Sequence, residues 1–227
     1  MPIYRYVKKQ PKYQNKKVGI FISAICFVAG IIFLGNAFFP ILSYEIQSQG
    51  FSRKLLSPIA VQGDSDTIVD YSQARSWFVS GYELPPNTSK ITHYTLSIPK
   101  VKVKDAVVQV GGEDLMKGLV QYPGTAMPGQ FGNTVIFGHS VLPQFFNPKD
   151  YKTIFSLLPT LKEKDEVIVN YDGITYRYQV YKMTEVTPDD LSVLEQHYDN
   201  QTMSIITCVP PGTYLRRLVV QARLVRY

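Results

Sequence analysis

One cysteine, one histidine and a pair of arginines have the residue types and positions for nucleophilic chemistry. Cys208 ends the apolar run MSIITC, and His139 ends the run TVIFGH. Two adjacent arginines, Arg216 and Arg217, open the apolar run RRLVV. A thiolate attacks carbonyl carbons, and a nearby His or Arg lowers the thiol pKa. A histidine moves protons near neutral pH, and an arginine donates hydrogen bonds to a developing oxyanion. Together these residues match acyl transfer through a cysteine.

Each of these residues alone also has a purely structural explanation. A buried cysteine is commonly a small apolar side chain, and paired arginines at a strand start often discourage edge pairing. A histidine beside a glycine is commonly a turn residue. The alternative from a different functional class is therefore a non-enzymatic, membrane-tethered β-domain with Cys208 in its core. That alternative predicts that Cys208→Ala changes stability but no chemistry.

The elements that must position these residues are predicted to be strands. From residue 91 onward, short β-branched and aromatic runs are separated by Pro, Gly, Asn and Asp. Asp172-Gly173 lies between two such runs and is a strong hairpin signal. Short helices are predicted at Glu113–Val120 and Asp150–Leu158. Many short strands with few helices favour a closed or nearly closed β-barrel. The predicted strands are residues 93–98, 106–110, 133–137, 166–171, 175–186, 203–207 and 218–224.

A long apolar run near the N-terminus predicts one transmembrane helix. Residues 18–42 contain no charged side chain, and about 20 apolar residues are enough to cross a bilayer core. The run is longer than the roughly 7–15 residues of a signal-peptide core, which favours an uncleaved signal-anchor. Residues 1–17 hold six basic side chains and no acid. The positive-inside rule therefore predicts a cytoplasmic N-terminus and an extracellular catalytic domain on a single-pass cell-membrane protein.

The predicted organisation has four parts. Residues 1–17 form a basic cytoplasmic tail, and residues 18–42 form the transmembrane helix. Residues 43–90 are a stalk or possible lid, in which Trp77 and Phe78 are candidates to cover a cleft. Residues 91–227 form the catalytic domain.

Composition and charge exclude several other classes. The chain is 45% hydrophobic and 19% charged, as in a folded protein. Removing the six tail charges from the 24 Lys and Arg leaves 18, equal to the 18 Asp and Glu. The basic excess therefore lies in the tail, which argues against a nucleic-acid partner. The two cysteines, Cys26 and Cys208, form no disulfide framework, because one lies in the apolar run. No metal or nucleotide motif is present, so no cofactor is expected.

The segments TVIFGHS, SIITC and LRRLVV resemble the sortase family in order and spacing. The corresponding family pattern is T-x-x-x-G-H, then T-L-x-T-C, then an arginine on the last strand. The resemblance covers residues 91–226 and includes TLSIPKV and EDLMKGLVQYPGT. It implies a mostly β fold, a closed eight-stranded sortase-type β-barrel with short helices, preceded by one N-terminal transmembrane helix.

The resemblance also implies an activity and a set of partners. Sortases cleave an LPxTG-like sorting signal between Thr and Gly, form a thioester on the cysteine, and transfer the acyl group to an amine. The expected partners are sorting-signal-bearing surface proteins, an amine acceptor (a cell-wall precursor or a protein) and the lipid bilayer. The long connection 185–200, with His197, is expected to shape the groove that binds the signal.

The family's residues are carried over by position. Cys208 is the expected nucleophile and His139 the expected general acid/base. The family's R-L-L-V strand start matches Arg217-Leu218-Val219-Val220, so Arg217 is the expected catalytic arginine. Because successive strand side chains point to opposite faces, Arg216 should not face the thiol as well.

Several family variants remain open or disfavoured. Calcium stimulation is not excluded, although Asp105, Glu113 and Asp114 fit ordinary surface charges better. Residues 44–90 contain no Asp-Pro lid motif, and the sequence stops at Tyr227 without a second apolar helix. A general surface-anchoring role is therefore expected rather than pilus assembly, while the sortase class stays open. Other Cys/His cell-wall peptidases fit less well. Papain-like enzymes place Cys before His, and L,D-transpeptidases need an S-H-G-C cluster.

Overall fold

The structure is a computed structural model that describes residues 16–54, 70–77 and 90–225. The chain divides into two compact units, residues 1–40 and 41–227. Helix α1, Lys16–Gln47, begins in the first unit and ends in the second. Residues 55–69 and 78–89 of the predicted stalk, including Phe78, lie outside the described residues.

The described part of the first unit is one continuous helix of mostly apolar residues, and Pro40 lies at its end. Its large apolar side chains, such as Phe21 and Phe33, are exposed along the helix. The stretch Val18–Gly50 is long and apolar enough to cross a membrane. A signal sequence near an N-terminus has the same length and composition, so the helix alone does not fix the topology of the chain.

The described part of the second unit contains nine β-strands and several short 3-10 helices. The strands are β1 Ser52–Lys54, β2 His93–Ile98, β3 Val103–Val110, β4 Leu119–Gln121, β5 Gly132–Phe137, β6 Glu166–Tyr171, β7 Ile174–Val186, β8 Gln201–Val209 and β9 Arg216–Leu224. The 3-10 helices are Ser48–Gly50, Ala74–Trp77, Pro99–Val101, Pro143–Phe145, Leu158–Thr160 and Leu191–Leu194.

Strands β2 to β9 close into a barrel. Their order is β7-β6-β2-β3-β4-β5-β8-β9, and β9 pairs with β7 to complete the ring. The pairs β3–β4 and β5–β8 are parallel, and the other pairs in the ring are antiparallel. Strand β1 adds to the edge of β7 in parallel. The predicted closed, eight-stranded, mostly β barrel after one long apolar helix is confirmed.

Side-chain alternation divides the apolar residues between two clusters. The barrel core contains residues from every strand of the ring, such as Leu96 of β2, Val108 of β3, Ile136 of β5 and Ile205 of β8. Successive residues point to opposite faces of a strand, so Ile206 and Cys208 of β8 lie on the outer face of the barrel. They belong to a second, outer cluster. Its members are Ala74, Trp77, Leu115, Val120, Tyr122, Val135, Phe137, Val186, Ile206, Cys208 and Val219.

The predicted hairpin is present, but two predicted helices are wrong. Asp172 and Gly173 join β6 to β7 with positive φ angles of 52° and 73°, as a tight turn of this kind requires. Residues 113–120 instead form turns that lead into β4. Residues 150–158 form successive turns whose hydrogen bonds reach back three residues, as from the Ser156 N–H to the Thr153 carbonyl at 2.9 Å.

Candidate active site

Two neighbouring parallel strands bring His139 and Cys208 to the same end of the barrel. Strand β5 pairs with β8 in the register Phe137 to Ile206, and the Gly138 N–H donates to the Ile206 carbonyl at 3.2 Å. His139 follows β5 directly, and Cys208 lies near the end of β8. Parallel strands end at the same edge of a sheet, so these two distant sequence positions become neighbours.

Two hydroxyl groups fix this junction between the strands. Thr207 Oγ1 donates to the Gly138 carbonyl at 2.8 Å, and Ser140 Oγ donates to the Cys208 carbonyl at 2.7 Å. Each bond ties one strand end to the other on either side of the candidate catalytic pair. Thr207 is fully buried and on the opposite face from the thiol, so its side chain is part of the scaffold beneath the site.

The antiparallel pairing of β8 with β9 places Arg217 directly opposite Cys208. The two residues are register partners, and side chains in such a pair stand about 5 Å apart at Cβ. Arg217 is 1% exposed. Arg216 points to the other face, where its guanidinium pairs with Glu45 and Glu185. The structure therefore places Cys208, His139 and Arg217 at one end of the barrel, and Arg216 away from the thiol.

Trp77 covers this group of residues and is itself fully buried. Its ring centroid lies 5.6 Å from that of His139, and the Arg217 Cζ lies 5.5 Å from the Trp77 ring centroid. The Trp77 carbonyl accepts hydrogen bonds from Arg217 Nε at 3.2 Å and Nη2 at 2.9 Å. Arg217 Nη1 donates to the Tyr214 carbonyl at 3.0 Å. All three nitrogens of the guanidinium are thus engaged by main-chain carbonyls.

Residues 70–77, here called the cover segment, are held by main-chain hydrogen bonds to the chain before β4. The Ala74 N–H donates to the Glu113 carbonyl at 2.9 Å. The Leu115 N–H donates to the Ser72 carbonyl at 3.0 Å. The Glu113 carbonyl, which would accept the first hydrogen bond of a helix at 113–120, is thus used by Ala74, and the predicted helix does not form.

Side chains add further contacts to the cover segment. Tyr71 stacks on Tyr214 with ring centroids 4.2 Å apart, and Trp77 Nε1 donates to the Tyr71 carbonyl at 2.8 Å. Arg75 forms an ion pair with Glu113. The segment therefore bridges the turn before β4 and the loop before β9, on both sides of Cys208.

Burial keeps the candidate catalytic pair neutral in this arrangement. Removal from water raises the pKa of the Cys208 thiol from its ordinary value to about 11, although the nearby Arg217 charge acts in the opposite direction. Burial also lowers the pKa of His139, partly offset by the carboxylates of Asp114 and Asp70. His139 Nε2 is buried without a hydrogen-bond partner among the described residues. Since a thiolate is the nucleophile, the covered site is not activated.

An apolar pocket of about 330 Å³ opens beside the outer cluster. Its walls are the turn Tyr122–Thr125 and the connection between β7 and β8, which contributes Leu191 and Leu194. Tyr122 belongs to the outer cluster, and both leucines pack against it. The pocket wall therefore packs against the same apolar cluster that contains Cys208.

Gln196 and Asn133 fix the wall of this pocket, and no sequence motif pointed to either residue. Gln196 Oε1 accepts from the Asn133 N–H at 2.9 Å, and its Nε2 donates to the Asn133 carbonyl at 3.0 Å. Asn133 Nδ2 donates to the Val193 carbonyl at 3.1 Å. The Gln196 side-chain amide pairs with the Asn133 main chain as a residue of a neighbouring strand would. This pairing is visible only in the folded structure. His197, which the sequence singled out, is exposed near Glu195 at 3.6 Å.

The three acidic residues considered for calcium have other partners. Glu113 pairs with Arg75, Asp114 pairs with Lys117 at 3.0 Å, and Asp105 accepts a hydrogen bond from Ser97 at 3.3 Å. Within residues 16–54, 70–77 and 90–225, no group of three or more His, Cys, Asp or Glu side chains is placed to hold a metal ion.

Comparisons with known proteins agree with this geometry. Sortase A of Bacillus anthracis is 24% identical over 222 residues, covering 93% of this chain and 96% of the relative. Sortase D of Bacillus subtilis is 23% identical over 198 residues, covering 86% and 90%. Among solved structures, a Clostridium perfringens sortase D5 transpeptidase matches with a TM-score of 0.51 and 27% identity over 60% of this chain and 79% of that one. Sortase A of Corynebacterium diphtheriae matches with a TM-score of 0.52 and 28% identity over 61% and 63%.

The family profile gives the broadest statement. The Sortase domain family matches residues 96–225, which is more than half of the chain and includes every strand that carries a candidate catalytic residue. The closed barrel with Cys208, His139 and Arg217 at one end is the structural counterpart of that match. The chain belongs to the sortase family of transpeptidases.

Proposed function

We propose that this protein cleaves an LPxTG-like sorting signal and transfers the acyl group to an amine through a thioester on Cys208. The observation that carries the proposal is the direct register pairing of Cys208 with Arg217, with His139 at the end of the adjacent strand. No other cysteine lies in the barrel, since Cys26 is in helix α1. The reaction anchors surface proteins to the cell envelope.

The first half of the proposed reaction forms the thioester. The Cys208 thiolate attacks the carbonyl carbon of the signal's Thr, and Arg217 donates hydrogen bonds to the resulting oxyanion. As the bond from that carbon to the Gly nitrogen breaks, protonated His139 gives its proton to the departing amine. The products of this half are the thioester on Cys208, the freed C-terminal fragment and a neutral imidazole.

The second half reverses these roles. The incoming amine attacks the thioester carbonyl, and neutral His139 takes a proton from its nitrogen. The bond from the carbonyl carbon to sulfur breaks, which restores the thiolate and leaves a new amide. Arg217 again faces the oxyanion. No cofactor takes part, so a chelator is expected to leave peptide turnover unchanged, and a calcium-dependent rate would contradict this part of the proposal.

The cover segment acts as a lid in this proposal. The Trp77 carbonyl uses the guanidinium nitrogens that a substrate carbonyl would need, and the Trp77 ring lies against His139. Opening frees these donors and admits water to Cys208, which lowers the thiol pKa. A substrate must therefore displace residues 70–77 before the chemistry begins.

The apolar pocket supports a signal that carries an aliphatic residue ahead of its cleavage site. The pocket walls include Leu191 and Leu194, which pack against the cluster that contains Cys208. Leu194→Ser is expected to raise the KM for such a peptide with little change in kcat, because the contact is made equally in the ground and transition states. An unchanged KM would place the signal elsewhere.

The membrane arrangement is part of the proposal. The basic tail lies in the cytoplasm, α1 spans the cell membrane, and the barrel lies outside, where sorting-signal-bearing surface proteins and an amine acceptor are available. The single long apolar helix supports an anchor. An Asp172→Cys variant in the β6–β7 turn tests the orientation. A membrane-impermeant maleimide should label it on intact cells, and labelling only after lysis would reverse the topology.

A non-enzymatic β-domain is the second candidate, because Cys208 is 1% exposed within an apolar cluster and its thiol pKa is raised. These are the properties of a core cysteine. Intact mass spectrometry with LPxTG-like peptides separates the two candidates. A thioester adduct that is absent in Cys208→Ala supports the transpeptidase, and its absence from all peptides supports the core cysteine.

A further inference from the structure

Residues 43–54 follow the uncharged run 18–42 and are called here the segment after the apolar span. This segment is bound to the barrel through a buried carboxylate. Tyr44, near the end of α1, is 4% exposed and packs within the barrel core. Its hydroxyl donates to Oε1 of Glu185, which lies at the end of β7 and is 2% exposed. A polar side chain this buried requires hydrogen-bonding partners, so the contact is a specific one.

Arg216 is a second partner of Glu185. The Arg216 Nε lies 3.3 Å from Oε2 of Glu185, and its Nη2 pairs with Glu45, the residue after Tyr44. One carboxylate on β7 thus joins the end of α1 to the first residue of β9. Removing one member of such a buried group leaves the others without compensation, which makes it sensitive to single substitutions.

The chain beyond Tyr44 continues along the same part of the barrel. Gln47 Nε2 donates to the Pro159 carbonyl at 3.0 Å, and Ser48 is fully buried. Strand β1 then pairs in parallel with residues 184–186 of β7. The contacts therefore extend over a continuous stretch and are not limited to one tyrosine.

The same group touches the candidate catalytic arginine through the main chain. The Arg216 carbonyl accepts a hydrogen bond from Arg217 Nη1 at 3.3 Å. Val186, which follows Glu185, is the register partner of Arg217 on β7. Arg216 precedes Arg217, and Glu185 precedes Val186, the register partner of Arg217. Arg216 and Glu185 are joined to each other on the opposite face of the sheet.

We propose that Tyr44, Glu185 and Arg216 form a clamp through which the segment after the apolar span positions Arg217 for acyl transfer. Glu185 and Arg216 are positioning residues, since they act on the thioester chemistry only through Arg217. The inference rests on the proposed function, because it requires Arg217 to act in the reaction. It also gives the paired arginines separate tasks, one on each face of β9.

The test uses the full chain in detergent micelles with Tyr44→Phe, Glu185→Gln and the double variant. The control is Glu166→Gln, which removes an exposed partner of Arg177, 3.5 Å away, elsewhere on the barrel. Single-turnover acylation of Cys208 by an LPxTG-like peptide is followed by intact mass, together with the peptide KM and the unfolding temperature. Tyr44→Phe removes only the hydroxyl that bonds to Glu185. It therefore tests the clamp by itself if Glu185→Gln does not fold.

A clamp predicts that each single variant, folded at the assay temperature, acylates about tenfold more slowly at saturating peptide, with KM unchanged. The double variant should lose little more than the larger single loss, because both substitutions disrupt one group.

Three results would overturn the inference or separate it from its premise. Wild-type acylation rates in folded Tyr44→Phe and Glu185→Gln overturn the clamp and leave the proposed function standing. A loss that Glu166→Gln shares overturns it as well, because the effect is then not specific to the clamp. Absence of acylation in the wild-type chain overturns the proposed function, and the clamp with it.

Discussion

The main-chain carbonyl of Trp77 accepts two hydrogen bonds from the Arg217 guanidinium, at 3.2 and 2.9 Å. Arg217 is the register partner of Cys208, so the carbonyl occupies donors that a substrate carbonyl attacked by the thiol is expected to need. The chain thus supplies its own peptide group to the arginine in the covered state.

Trp77→Ala is expected to expose Cys208. The substitution removes a fully buried indole from the outer cluster, which weakens the docking of residues 70–77. If the covered state dominates in the wild-type chain, the rate of iodoacetamide alkylation should rise at least about tenfold. Ile174→Ala, at an exposed position in the β6–β7 turn region, is the matched control and should leave the rate unchanged. Equal rates in all three proteins would mean that residues 70–77 are not a lid.

Arg75→Gln is expected to loosen the same segment by a smaller amount. The ion pair of Arg75 with Glu113 is solvent-exposed, with the arginine side chain 60% exposed. Exposed pairs contribute little, so alkylation of Cys208 should accelerate only about twofold to threefold. Added salt should accelerate the wild-type reaction and have less effect on the variant, because screening weakens the same pair. A salt response that is identical in both proteins would contradict this assignment.

The alkylation rate of wild-type Cys208 should depend steeply on pH. Burial raises the pKa of the thiol to about 11, so the thiolate fraction grows by about tenfold per pH unit across the neutral range. The wild-type rate should therefore keep rising through pH 9. In Trp77→Ala, water reaches the sulfur and lowers its pKa, so the curve should shift to lower pH. A wild-type plateau near pH 7 would show a thiol that is already ionised in the covered state.

Replacement of Arg217 should lower the rate of peptide acylation more than replacement of Arg216. Arg217→Lys keeps the charge but loses the forked donors, and peptide acylation should fall about 100-fold or more, as for removal of an oxyanion donor. Arg216→Lys should lose no more than about tenfold, because its guanidinium faces Glu185 on the other side of the sheet. Single-turnover acylation measures both. The reverse order would move the catalytic role to Arg216.

Much of the barrel was predictable because its strands carry short-range signals. Asp172-Gly173 predicted the β6–β7 hairpin, and its positive φ angles confirm it. The helix predicted at residues 113–120 was wrong for a local reason, because the apolar residues Leu115 and Leu119 have helical spacing. The backbone there instead forms hydrogen bonds with the cover segment. A local sequence pattern cannot predict a partner so far upstream in the chain.

The arrangement around the site was predictable only in part. Alternation along β9 predicted that Arg216 and Arg217 face opposite sides, and the structure places them so. The sequence singled out Trp77 as an aromatic that could cover a cleft, but the contact through its carbonyl depends on backbone geometry. Tyr44 and Glu185 are 141 positions apart, and a glutamate inside a strand pattern reads as a surface residue. Their burial is visible only once the barrel is closed.

The most direct test of the central claim is the mass of the full chain after incubation with an LPxTG-like peptide. The account predicts an adduct equal to the peptide's N-terminal fragment up to its Thr, absent in Cys208→Ala and discharged by an added amine. Trp77→Ala should form it faster than the wild-type chain. If Trp77→Ala exposes a thiol that iodoacetamide alkylates, and no peptide forms the adduct in either protein, the proposed transpeptidation of such signals is contradicted.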